Sequence, residues 1–130
     1  MINFFAMKNS TNIFSIASRI RSFHFAFRGL RFAFQSEHNL WVHTVAALMA
    51  IVLSFILEIS HHEWMVIILV TGGVFVTELF NSAIESMVDL FSPELNEKAG
   101  RIKDIAAGAV LMAAMVAVAA GLIVFLPKLM

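Results

Sequence analysis

Three long apolar stretches most constrain what this chain can fold into. Residues 40–57 and 105–126 contain no Asp, Glu, Lys or Arg, and residues 64–77 form a third uncharged run that continues into a more polar segment. At about 1.5 Å per residue, a helix of roughly 20 apolar residues covers the hydrocarbon core of a bilayer. Inside that core the backbone must satisfy its own hydrogen bonds, which a single short apolar segment does by becoming a helix. The sequence therefore reads as an all-α integral membrane protein with crossings at 37–58, 64–91 and 105–126, joined by a short polar turn and by a mixed-charge segment at 92–104. A composition of 60% hydrophobic and 14% charged residues, with a mean hydropathy of +0.86, excludes an ordinary soluble domain. One membrane domain over 1–130 is expected.

The N-terminal segment, 1–36, has a different pattern. Ile13, Ile16, Ile20, Phe23, Phe27, Leu30 and Phe34 recur at alternating three- and four-residue intervals, while Arg21 and Arg28 point away from that stripe and Arg19 and Arg31 flank it. This is an amphipathic helix suited to lying in the headgroup region, with Asn9, Ser10, Thr11 and Asn12 as N-cap candidates. Residues 1–7 lack the basic lead, apolar run and small-residue site of a secretory signal peptide.

Charge placement sets the expected orientation. Lys8, Arg19, Arg21, Arg28 and Arg31 precede the first crossing, and Lys98, Arg101 and Lys103 lie between the second and third. The turn at 58–63 has no Lys or Arg, and Lys128 alone follows the third crossing. By the positive-inside rule the N-terminus and the 94–104 segment are cytoplasmic. Nine basic and nine acidic residues cancel, so no net field recruits nucleic acid.

The second crossing carries an acidic ladder: Glu78, Asn81, Glu85 and Asp89. At about 100° per residue these side chains fall within roughly 80° of one another on one helix face. Carboxylates inside a membrane segment are costly and mark function. Glu37 opens the first crossing and Lys103-Asp104 the third, so the topology gathers all these groups at one membrane face, where water-soluble and lipid-soluble reactants meet. His43 reads as a packing or interfacial side chain, as do His24 and His38; His61-His62 reads as solvated turn, and Gly72-Gly73 as a packing contact. Ala109, Ala113, Ala117 and Gly121 form a small-residue stripe that permits close helix approach.

With no cysteine, thiol catalysis and zinc-thiolate sites are excluded. Clustered carboxylates favour a hard cation such as magnesium, and Lys103 supplies a positive charge suited to phosphate. Glu78, deepest in the ladder, would be partly desolvated and crowded by like charge, the setting of a usable general base for a lipid hydroxyl. No G-x-x-x-x-G-K-[ST] or G-x-G-x-x-G is present, so any phosphate site is of another design. A small carboxylate-based proton or ion conductor is the alternative, although the opposite halves of the crossings offer little beyond Ser54 and Thr71.

The run Glu78-x-x-Asn81-Ser82-Ala83-Ile84-Glu85-x-x-Val88-Asp89, followed by Gly100-Arg101-x-Lys103-Asp104 and the small residues 106–109, resembles the prokaryotic diacylglycerol kinase family. Glu37 and Gly29-Leu30-Arg31 fall at that family's spacing. The resemblance implies a homotrimer of three-crossing subunits in the bacterial inner membrane, each with an N-terminal surface helix. Active sites would form between subunits at the cytoplasmic face, transferring the ATP γ-phosphate to a lipid hydroxyl. It further implies that Glu78 is the catalytic base, Glu37 and Glu85 ligate Mg2+, and Lys103, Asp104 and Glu94 lie at the nucleotide, with Asn81 and Asp89 supporting the site. The family has a diacylglycerol and an undecaprenol branch, and Glu37-His38-Asn39-x-x-x-His43 is similar to the latter.

Overall fold

The computed structural model describes residues 15–94 and 96–130. The N-cap candidates at 9–12 and the first residue of the amphipathic stripe, Ile13, lie outside them. Four helices follow in order: α1 (Ile16–Ser36), α2 (His38–Ile56), α3 (His61–Phe91) and α4 (Glu97–Leu129), with no strand among the described residues. The last three are long and apolar enough to cross a membrane. The chain divides into two compact units, the part up to Phe32 and Ala33–Met130.

In the first unit, Ile16, Ile20, Phe23, Phe27 and Leu30 are exposed. Arg28 turns back over its own helix, with its guanidinium 3.1 Å from His24 Nε2 and 5.5 Å from the centroid of the Phe25 ring.

In the second unit, the Trp41 indole N–H donates to the Phe34 carbonyl at 3.0 Å, and the two rings meet edge to face at 5.9 Å. This joins the end of α1 to the start of α2 around Glu37, which is the N-cap of α2 but makes no side-chain cap hydrogen bond. Its backbone N–H donates to the Ala33 carbonyl at 2.8 Å.

α3 packs along α4 over much of their length, and α2 lies against both. At about 1.5 Å per residue, the 19 residues of α2 match the hydrocarbon thickness, whereas the 31 of α3 and 33 of α4 exceed it by several turns. The excess carries the polar ladder.

The buried core is small: Leu40, Ile67, Val74, Val88, Ala106, Val110 and Val124 are buried, while Leu48, Met49, Leu69, Leu90, Ile105 and Ile123 are exposed. Apolar residues on the outer faces suit lipid or other helices. A Cβ added at Gly72 or Gly73 would meet nothing within 4 Å, so neither glycine makes a close contact within the chain. Gly121 does approach a neighbour, the Phe125 ring at 3.8 Å.

The α2–α3 turn is tightly specified. Glu58 takes the left-handed conformation at φ 47°, and the Ile59 N–H donates to the Ser54 carbonyl. Ser60 and Glu63 form a reciprocal capping box: the Ser60 N–H donates to Glu63 Oε2 at 2.7 Å and the Glu63 N–H to Ser60 Oγ at 3.4 Å. That cap starts α3 at His61, so His61-His62 belongs to a helix rather than a turn. Lys128 Nζ reaches Glu63 Oε2 at 3.2 Å, tying the end of α4 to the start of α3. Beneath the turn, Ile59, Ile67 and Val124 cluster with Trp64 and Phe125.

At the other end, Asn96 caps α4 by accepting the Lys98 N–H at 2.9 Å. The helix therefore begins at Glu97, eight residues before its uncharged run, and takes in Lys103 and Asp104. It continues past Pro127 to Leu129.

Candidate active site

Along α3, solvent exposure follows depth. Glu78 is 1% exposed and Asn81 and Ser82 are buried; Glu85 is half-buried, and Asp89 is exposed near the helix end. Glu78 is separated from Trp64 by the uncharged run, so the bundle holds a carboxylate well inside a membrane-length helix.

Neither Glu78 oxygen has a hydrogen-bond partner, and the same is true of Asn81 Oδ1. An ionised carboxylate buried without partners costs several kcal/mol, roughly, and folds retain such a group where it has work to do. The ionisable group that faces it is His43 on α2, with Nε2 4.0 Å from Glu78 Oε2. That distance is a close approach, longer than a hydrogen bond. Sequence reasoning takes His43 for a packing or interfacial residue. The signal that could have revealed it is a titratable side chain more than a turn into an otherwise uncharged crossing.

His43 also lines an apolar cavity of about 240 Å³ between α2, α3 and α4, walled by Ala47, Ala50, Val74, Ala117 and Gly121 among others. It is the one titratable side chain in that lining.

Two further polar contacts order the ladder. The Asn81 amide donates to Glu85 Oε1 at 2.9 Å, one turn on. Lys103 on α4 donates to Asp89 on α3, closing the two helices around their connection. Glu94 is exposed in that connection and Asp104 is exposed on α4 beside Lys103. Glu37 is half-buried, with the Ser36 hydroxyl 3.4 Å from its Oε1. The structure thus brings together Asn81 with Glu85, Asp89 with Lys103, and Glu78 with His43.

Among the described residues no three His, Asp or Glu side chains converge as a self-sufficient metal cage. The donor set still fits magnesium, which commonly takes one or two protein carboxylates and completes its shell with phosphate oxygens and water. Glu37, whose side chain caps no helix N–H, and the amide-oriented Glu85 carboxylate are of that kind.

The fold and site define a small polytopic α-helical membrane protein with a buried acid at the deep end of a polar ladder. The chain belongs to the prokaryotic diacylglycerol kinase family, which it matches over residues 24–125. It is 42% identical over 109 residues to an undecaprenol kinase of Bacillus subtilis, covering 84% of this chain and 89% of that one. It is 37% identical to a diacylglycerol kinase of Synechocystis, covering 84% of this chain and 63% of the relative. It is 35% identical to a diacylglycerol kinase of Escherichia coli K12, covering 86% and 90%.

Proposed function

We propose that the protein is a membrane lipid kinase transferring the γ-phosphate of ATP to a lipid hydroxyl, either undecaprenol, giving undecaprenyl phosphate, or diacylglycerol, giving phosphatidate. The observation that carries this reading is the Glu78 carboxylate, 1% exposed and without a hydrogen-bond partner for either oxygen. Such a group is poised to accept a proton from an alcohol that arrives through the membrane.

Glu78 takes the lipid hydroxyl proton as the alcohol oxygen bonds to the γ-phosphorus, and the bond from that phosphorus to the β,γ-bridging oxygen breaks to release ADP. General-base assistance of this kind is worth on the order of 10²–10⁴ in rate. Glu37 and Glu85 would hold Mg2+, which when bound supplies charge neutralisation at the transferring phosphate. Asn81 orients the Glu85 carboxylate, and Asp89 holds the Lys103 ammonium. Lys103, Asp104 and Glu94 form the nucleotide side.

The active unit is a homotrimer with sites completed between protomers. The exposed apolar faces of α2, α3 and α4, which suit other helices as well as lipid, support this. The protein sits in the bacterial inner membrane, and the distribution of Lys and Arg supports a cytoplasmic N-terminus and site. Undecaprenol is the acceptor favoured by the 42% identity to the Bacillus protein and by the Glu37-His38-Asn39-x-x-x-His43 stretch.

The ion-conductor reading is not favoured. The ladder occupies one end of α3, and toward the opposite end of the bundle the buried Ser54 hydroxyl of α2 is already spent on the Ala50 carbonyl at 2.7 Å.

The deciding experiment follows labelled γ-phosphate from Mg-ATP to undecaprenol and diacylglycerol offered in parallel to the micelle-solubilised protein. Transfer to undecaprenol is expected. A folded protein that labels neither lipid would overturn the kinase reading.

A further inference from the structure

From the contact between α2 and α3 we infer that His43 is a positioning residue for Glu78, fixing the carboxylate through its Nε2 at the head of the apolar cavity. The inference rests on the reading of Glu78 as the base, and adds a residue from a different helix to it.

Three observations converge on His43. Its Nε2 stands 4.0 Å from Glu78 Oε2, and no hydrogen bond holds either oxygen of that carboxylate. A carboxylate has two rotatable bonds before its terminal torsion, and burial alone does not select one orientation for it. His43 is also 20% exposed against 1% for Glu78, so the imidazole is the more accessible member of the pair. Finally, the ring lines the cavity bounded by Val74, one turn before Glu78 on α3. A lipid alcohol whose first carbons occupied that cavity would bring its hydroxyl past the imidazole to reach the carboxylate.

A neutral imidazole is sufficient for this role, because one ring N–H directed at the carboxylate oxygen restrains it. A small closure of the 4.0 Å gap on substrate binding would turn the contact into a hydrogen bond, as catalytic contacts commonly tighten in the reacting complex. His43 makes no bond to substrate in this scheme, so its removal should slow turnover while leaving nucleotide binding intact.

The test uses the full-length protein in micelles with two substitutions of similar bulk and opposite chemistry. His43→Leu fills the space without a donor, and His43→Gln keeps an N–H donor on a polar side chain. A packing role would be preserved by Leu and damaged by Gln; a positioning role gives the reverse order.

For His43→Leu the expected result is a kcat for lipid phosphorylation about 10- to 100-fold lower, part of the roughly 10²–10⁴-fold that a well-placed general base supplies. The KM for Mg-ATP and the oligomer size should be unchanged, and His43→Gln should recover most of the rate. Equal rates in His43→Leu and the unmodified protein, or equal losses in His43→Leu and His43→Gln, would overturn the role of His43. Glu78→Gln in the same assay separates the two claims: if it stays active the base assignment fails, and if it is inactive while His43→Leu is unimpaired, only the positioning role fails.

Discussion

Asp89 and Lys103 are fourteen residues apart in sequence and joined as an ion pair across the connection between α3 and α4. Their side chains are 64% and 34% exposed, so screening holds the pair's contribution to stability to about 1 kcal/mol or less. Its consequence is directional: the ammonium is aimed from α4 back over the ladder on α3. Lys103→Gln is expected to raise the KM for ATP roughly tenfold, equivalent to about 1.4 kcal/mol, while shifting unfolding by less than about 1 kcal/mol. Steady-state kinetics with ATP as the varied substrate, beside a denaturation curve, would check both.

Replacing Glu78 with Leu should separate stability from activity. The substitution removes a buried carboxylate without hydrogen-bond partners and supplies an apolar side chain to the same space. A gain of about 1–3 kcal/mol in resistance to denaturation is expected together with loss of phosphate transfer. A less stable Glu78→Leu protein would mean that the acid has a structural partner in the assembly.

Asn81 acts on the site through the amide it donates to Glu85 at 2.9 Å. With Glu85 as a magnesium ligand, Asn81→Ala is expected to raise the Mg2+ concentration for half-maximal activity about 10- to 100-fold, the usual consequence of freeing a ligating carboxylate. Titrating Mg2+ at saturating ATP reads this shift directly.

The α2–α3 turn offers controls away from the chemistry, since Ser60 precedes Glu78 by about 27 Å of helix at 1.5 Å per residue. Glu58→Gly relieves a left-handed conformation at φ 47° and is expected to stabilise the protein by about 1 kcal/mol. Ser60→Ala breaks the capping box and is expected to cost about 0.5–2 kcal/mol. Neither change should alter kcat, and a kcat change in either would show that this end of the bundle is coupled to the site.

Much of the architecture was legible because each crossing is a long local signal. The apolar runs at 40–57 and 105–126 require helices whatever surrounds them, and the stripe from Ile16 to Phe34 carries its own period. Helix ends were less legible because single side chains set them: Ser60 with Glu63 starts α3 earlier than the apolar run, and Asn96 starts α4 eight residues before its own.

Within the site, the ladder could be read from spacing alone because Glu78, Asn81, Glu85 and Asp89 share one helix. The partner of Glu78 could not, because His43 lies on another helix and interhelical rotation is fixed by packing.

The sequence by itself determined three membrane-length helices, the acid face of one of them, and the end of the bundle where the polar groups collect, since all of these follow from hydropathy and a 3.6-residue period. Only the tertiary structure decided which groups meet. Packing of α2 and α4 against α3 turned Glu78 into a buried acid facing His43 and drew Lys103 onto Asp89. The physical reason is that contacts between helices depend on their mutual rotation and register, and no local pattern in the chain encodes either.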